Sequence, residues 1–111
     1  MLVCGSRDWH RADLVREQLQ RLPFDAHVIH GGARGADRMA ATIAQGLGLR
    51  VTEYPADWRG QGRSAGLQRN LTMLDQRPDL VLAFQHNHST GTQHVIDNAL
   101  RRGIEVHVVT A

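Results

Sequence analysis

Hydrophobic positions in this chain fall into two alternating kinds of segment. Short apolar runs occur at Leu2-Val3-Cys4, His27 to His30, Arg50 to Tyr54, Asp79 to Phe84 and Ile104 to Val109. Between them lie longer stretches whose apolar residues recur every three or four positions, the spacing of one helix face. Leu14, Val15, Leu19 and Leu22 form such a stripe between Arg11 and Leu22, and Pro23 stops it. Met39, Ala40, Ile43, Ala44 and Leu47 form the second, between Asp37 and Leu47, with Gly48 as its cap. Leu67, Leu71 and Leu74 mark a third helix over Ala65 to Asp75, which Pro78 forbids to continue. Val95, Ile96, Ala99 and Leu100 mark the fourth, over Thr92 to Arg102, with Gly103 beyond. Residues 56–64, ADWRGQGRS, are polar and glycine-containing and are expected to form a mobile loop.

The pattern predicts five strands alternating with four helices. Strands as apolar as DLVLAF suit a sheet covered on both faces, and short connections favour parallel pairing. The expected fold is α/β: a Rossmann-like three-layer sandwich with a five-stranded parallel sheet in the order 3-2-1-4-5. A chain of 111 residues without linker or repeat makes one domain, residues 1–111. In that strand order the chain reverses direction between strands 1 and 4, and ligands bind in the crevice formed there.

Composition changes this picture in few places. No apolar run reaches membrane-spanning length and no signal-peptide pattern is present, so no membrane partner is expected. The lone Cys4 cannot pair within the chain, which points to a reducing, cytoplasmic setting; in its apolar strand it is expected to be buried and inert. Net charge is only +2, and all 13 basic side chains are arginine. The arginines are scattered. They fit base composition of the genome as well as bidentate phosphate recognition. With no lysine, a Walker-type phosphate loop is excluded. His86, His88 and His94 are spaced like metal ligands, but no nearby Cys or acidic residue completes a set, so neither a metal nor a cofactor is expected.

Glycine placement is the most informative feature. Helix terminators (Pro23, Gly48, Pro78, Gly103) fall at one edge of the predicted sheet. At the other edge lie three bare loops: Gly5-Ser6-Arg7-Asp8-Trp9 after strand 1, Gly31-Gly32-Ala33-Arg34-Gly35 after strand 2, and His88-Ser89-Thr90-Gly91-Thr92 after strand 4. A helix N-terminus offers unpaired N–H groups and partial positive charge, and glycine clears an anion's approach. The loops therefore predict a phosphate cradle between two helix starts; tight strand-to-helix turns are the plainer explanation of the same glycines. Asp37, in the first turn of its helix, reads equally as compensation of the helix dipole and as a carboxylate for a ribose hydroxyl or amino group. Arg69 lies off the leucine stripe of its helix and Asn70 at its edge. Both are expected to point along the top of the sheet, toward the loops after strands 1 and 4. Trp9, following Gly5-Ser6-Arg7, is expected to face the ligand.

GSRDW, HGGARGADRMA, GLQRNLTML and STGT, in this order across essentially the whole chain, resemble the small YspA-type domains of the SLOG superfamily. That superfamily also holds the LOG phosphoribohydrolases and the DprA/Smf proteins. The resemblance implies a Rossmann-like domain whose loops bind a nucleotide or nucleotide-derived, ADP-ribose-like ligand. It carries over Gly5, Ser6, Arg7, Gly31, Gly32, Gly35 and Asp37. Arg69 and Asn70 match the helix where LOG proteins carry an arginine, and Gly91-Thr92 match the glycine-threonine of their P-G-G-x-G-T-x-x-E motif. The catalytic glutamate of that motif falls on Val95, and its two leading glycines are absent.

Three functions follow as expectations. The first is binding of a nucleotide-type ligand, as a sensor in nucleotide signalling or phage–host conflict. The second is LOG-like hydrolysis of an N-glycosidic bond in a nucleoside monophosphate, with Asp37 and Arg69 as catalytic candidates. The third is single-stranded DNA binding, which a net charge of +2 and five aromatic residues do not favour. LOG-like relatives commonly pair, so a homodimer or higher homo-oligomer is also expected.

Overall fold

The computed structural model describes residues 1–111 except for the side chains of Gln61 and Arg63. Its strands are β1 (Leu2–Gly5), β2 (His27–His30), β3 (Arg50–Glu53), β4 (Leu80–Gln85) and β5 (Glu105–Thr110). Its helices are α1 (Ala12–Gln20), α2 (Ala36–Gly46), α3 (Trp58–Gln61), α4 (Ala65–Asp75) and α5 (Thr90–Arg101). All strand pairs are parallel, in the order β3-β2-β1-β4-β5. The central pair runs in register from Leu2 opposite Val81 to Gly5 opposite Phe84, so the loops after β1 and β4 leave the sheet side by side.

Alternation along each strand divides the core in two. Val3, Val28, Leu82 and Phe84 face α1 and α2, packing on Val15, Leu19, Ala40, Ile43 and Ala44. Leu2, Cys4, Ile29, Val81 and Ala83 face α4 and α5, packing on Met73, Leu74, Val95, Ile96 and Ala99. Burial on both faces is why the central strands β1 and β4 carry almost no polar residue. Among the described residues no helix is long and apolar enough to cross a membrane.

Three expectations need correction. The stretch 56–64 holds the short helix α3 and a 3-10 turn, Gly62–Ser64, giving five helices where four were expected. Its start is fixed by Asp57, whose carboxylate accepts from the Gly60 N–H at 2.9 Å. Trp9 does not face a ligand: it is 3% exposed, its ring centroid lies 5.4 Å from that of Phe84, and its Nε1 donates to the Arg11 carbonyl at 3.1 Å. Helix α4 is rotated from its leucine spacing. Leu67 is 42% exposed, while Ala65, Asn70, Met73 and Leu74 are buried. Met73 and Leu74 turn into the core, and Arg69 and Asn70 make polar contacts at the top of the sheet.

Candidate functional site

The crevice between the carboxyl ends of β1 and β4 opens into a cavity of about 400 Å³. Gly5, Ser6, Arg7 and Asp8 form one wall and Ser89 to Thr92 the opposite one. Asp37, Asn70, Cys4, Met73 and Val95 line the cavity between these walls, with Ala33, His86, Asn87 and His88 completing its lining.

The α5 wall has the features an anion requires. Ser89 caps the helix: its Oγ accepts from the Thr92 N–H at 3.3 Å and from the Thr92 hydroxyl at 2.9 Å. The preceding amides, of Thr90 and Gly91, have no partner among the described residues. A Cβ placed on Gly91 would meet nothing within 4 Å, so the approach to this helix end is open. The exposed Arg7 lines the wall across from it.

The glycine-rich joint after β2 is built for a different purpose. Three of its amides already have partners: Gly31 N–H donates to Asp37 Oδ2 at 2.9 Å, Gly32 N–H to His30 Nδ1 at 3.0 Å and Ala36 N–H to the Ser6 carbonyl at 3.3 Å. A Cβ on Gly31 would collide with the Arg69 guanidinium, one on Gly32 with the Glu53 carboxylate, and one on Gly35 with the Ser6 and Arg7 carbonyls. Gly35 also has φ +78°, a conformation that favours glycine. These glycines let the protein's own backbone and side chains approach closely. Gly31, Gly32, Arg34, Gly35 and Arg69 do not line the cavity, and Arg34 is exposed to solvent. Two open helix starts were expected; that of α5 opens on the cavity, whereas the joint before α2 spends its Gly31 and Ala33 amides on the Asp37 carboxylate and its Ala36 amide on the Ser6 carbonyl.

Ser6 lines the cavity, yet its hydroxyl has a structural task. It donates to the His86 carbonyl at 3.0 Å and accepts from the His86 N–H at 2.9 Å, tying the β1 loop to the β4 loop. Asp8 extends this contact: its Oδ2 lies 4.0 Å from His86 Nε2 and accepts from Asn87 Nδ2 at 3.4 Å. Sequence reasoning placed His88 in the loop after strand 4 but missed the contribution of His86 and Asn87 to the cavity, having weighed His86 only as a metal ligand. The readable signal was their place in the loop after strand 4, at the switch point.

Asp37 is 5% exposed. Burial pushes its carboxyl up to about 6, against the hydrogen bonds from Gly31 and Ala33 and the charge of Arg69, which act to lower it. Burial likewise pushes the Cys4 thiol up, away from the reactive thiolate, and the Asp37 charge adds to that. Arg69 and Asn70, expected to point the same way, diverge. Arg69 Nη1 donates to the Gly31 carbonyl at 2.6 Å and reaches the Tyr54 carbonyl at 3.5 Å, over the ends of β2 and β3. Asn70 turns to the cavity, with Nδ2 3.5 Å from His94 Nδ1. Val95, at the position where LOG proteins carry their glutamate, is an apolar part of the cavity wall.

Comparison with known proteins adds two findings. The model of the YspA, cpYpsA-related SLOG family matches residues 1–60, which include β1 to β3 and the loops after β1 and β2. The gene 61 protein of Mycobacterium phage D29 is 39% identical over 115 residues, an alignment covering 96% of this chain and 92% of that protein.

Proposed function

The chain belongs to the YspA, cpYpsA-related SLOG family, and from that premise we propose that it binds a nucleotide or nucleotide-derived ligand in the cavity between the β1 and β4 loops. The observation that carries this reading is the open start of α5. Its free Thr90 and Gly91 amides face a cavity that Arg7 also lines. A phosphate group sits there, receiving N–H and hydroxyl donors from residues 89–92 and the Arg7 guanidinium. At the other end Asp37 accepts a hydrogen bond from a ribose hydroxyl or an amino group, and the Asn70 amide nitrogen, its oxygen already held by Arg69, donates one. The proposed role is that of a cytoplasmic sensor in nucleotide signalling or phage–host conflict, the latter in keeping with a relative encoded by a phage. Isothermal titration of the purified chain with AMP, ADP and ADP-ribose tests the reading. Saturable heat with at least one of them is expected, and silence across the panel overturns it.

One observation favours a second, enzymatic reading: a buried cavity carboxyl whose titration lies near neutrality. In hydrolysis of a nucleoside monophosphate, water adds to the anomeric carbon as the C–N bond breaks, the base leaves with a proton that Asp37 supplies, and the proton released by the added water restores the Asp37 carboxyl. Val95 cannot replace the missing glutamate, so the burden falls on Asp37 or on Asp8, which also lines the cavity. Release of free base from AMP on chromatography, lost in Asp37→Asn, would place this reading above the first.

A further inference from the structure

We propose that Arg69 is a positioning residue for the cavity: from outside it, its guanidinium pins Gly31 and Asn70, and so fixes both Asp37 and Asn70 in place. Gly31 is held at both of its backbone groups. Its N–H donates to Asp37 Oδ2 at 2.9 Å, and its carbonyl accepts from Arg69 Nη1 at 2.6 Å. Arg69 Nε donates to Asn70 Oδ1 at 3.0 Å, which leaves the Asn70 amide nitrogen toward His94. One planar fork thus joins α4 to the ends of β2 and β3 and sets two polar groups that line the cavity. A lysine has a single nitrogen and cannot hold this geometry. The bareness of Gly31 belongs to the same device, since the guanidinium fills the space its side chain would need. Arg69 itself lines a separate cleft with Tyr54, Pro55 and Asp57, so it acts on a ligand only through its two neighbours. The charged and titratable groups facing Asp37 are Arg69 from α4, Glu53 from β3 and Cys4 from β1.

The importance of this device for a ligand rests on the proposed function; its physical core is measurable without one. Carbon-13 NMR of the Asp37 carboxyl and nitrogen-15 NMR of the Gly31 amide would be followed against pH in wild type, Arg69→Lys and Arg69→Met. In wild type the Gly31 amide shift tracks the Asp37 titration. In Arg69→Met the Asp37 midpoint rises by about one unit and the tracking weakens, because the cation and the grip on Gly31 are both gone. Arg69→Lys recovers part of the midpoint by its charge but not the tracking, which depends on the fork. If Arg69→Met fails to fold, the Gly31 amide of Arg69→Lys carries the test. A folded variant in which Gly31 and Asp37 titrate as in wild type overturns the proposal. Titration of AMP into the same samples separates the two ideas. If wild type binds no nucleotide while the Gly31 coupling is lost in the variants, the functional reading falls and the role of Arg69 stands.

Discussion

Asp37 takes up a proton more readily in the folded chain than in the unfolded one, because its carboxyl titrates at about 6 instead of the ordinary 3.8. Below the unfolded value both states are protonated and the site costs nothing. As pH rises from about 4 to about 6 the unfolded chain ionises first, and stability falls by about 1.4 kcal/mol per unit of pKa difference, about 3 kcal/mol in all. Asp37→Asn removes the buried charge and keeps an oxygen for the Gly31 N–H. Urea melts are therefore expected to show the variant more stable than wild type at pH 8 and no more stable at pH 4. A variant less stable at pH 8 would mean that the ionised carboxylate is a net gain. The first-turn position of Asp37 was legible in the sequence; its burial was readable but passed over. Asp37 falls three and seven positions before Ala40 and Ala44, on the inward stripe of α2, and all three are buried. Trp9 was misplaced for the opposite reason. A glycine-serine-arginine prelude says that a loop is near, but the loop folds back onto Phe84 through a long-range contact that no local pattern records.

At the scale of elements, α2 and α5 both begin in small-residue loops at the same rim of the sheet and end up with different chemistry. The start of α2 is closed by Asp37, Arg69 and the Ser6 and Arg7 carbonyls, whereas that of α5 meets only the cavity. Sequence does not separate the two, since openness depends on what distant segments bring across the gap. Substitution does. Gly35→Ala places a methyl group against two carbonyl oxygens at φ +78°, and a loss of about 2 kcal/mol or more is expected on thermal or chemical melting. Gly91→Asp meets no steric conflict and puts a carboxylate in the first turn of a helix, a gain of about 0.3–1 kcal/mol. The same carboxylate repels a bound phosphate, so nucleotide affinity is expected to fall at least about tenfold while the melting temperature rises. A Gly91→Asp protein that melts higher and binds unchanged would place the anion elsewhere. Helix α4 teaches a related lesson. Three leucines at helical spacing marked its existence and length, but its inward face is Ala65, Asn70, Met73 and Leu74, with Leu67 left 42% exposed.

For the whole molecule, strand order was legible because short crossovers and two-faced apolar strands leave few topologies open. That order brings the β1 and β4 loops together, and Ser6 holds them there. Its hydroxyl both donates to and accepts from the backbone of His86, across 80 positions of sequence. Ser6→Ala leaves a carbonyl and an N–H at the crevice without that partner, at a cost of about 1–3 kcal/mol. The loss has a location as well as a size. The His86 amide, protected in wild type, is expected to exchange with solvent much faster in Ser6→Ala, while amides of β1 and β4 below the crevice slow or quicken only with global stability. Faster exchange spread evenly over the sheet would instead make Ser6 an ordinary core contact. A nucleotide seated between the two loops supplies a second bridge over the same gap. At a concentration about a hundredfold above its dissociation constant it stabilises the fold by about 2.7 kcal/mol, and this gain should slow exchange at His86 even in Ser6→Ala. The crevice would then close from either side, by the serine hydroxyl within the protein or by the ligand, and the His86 amide would report both.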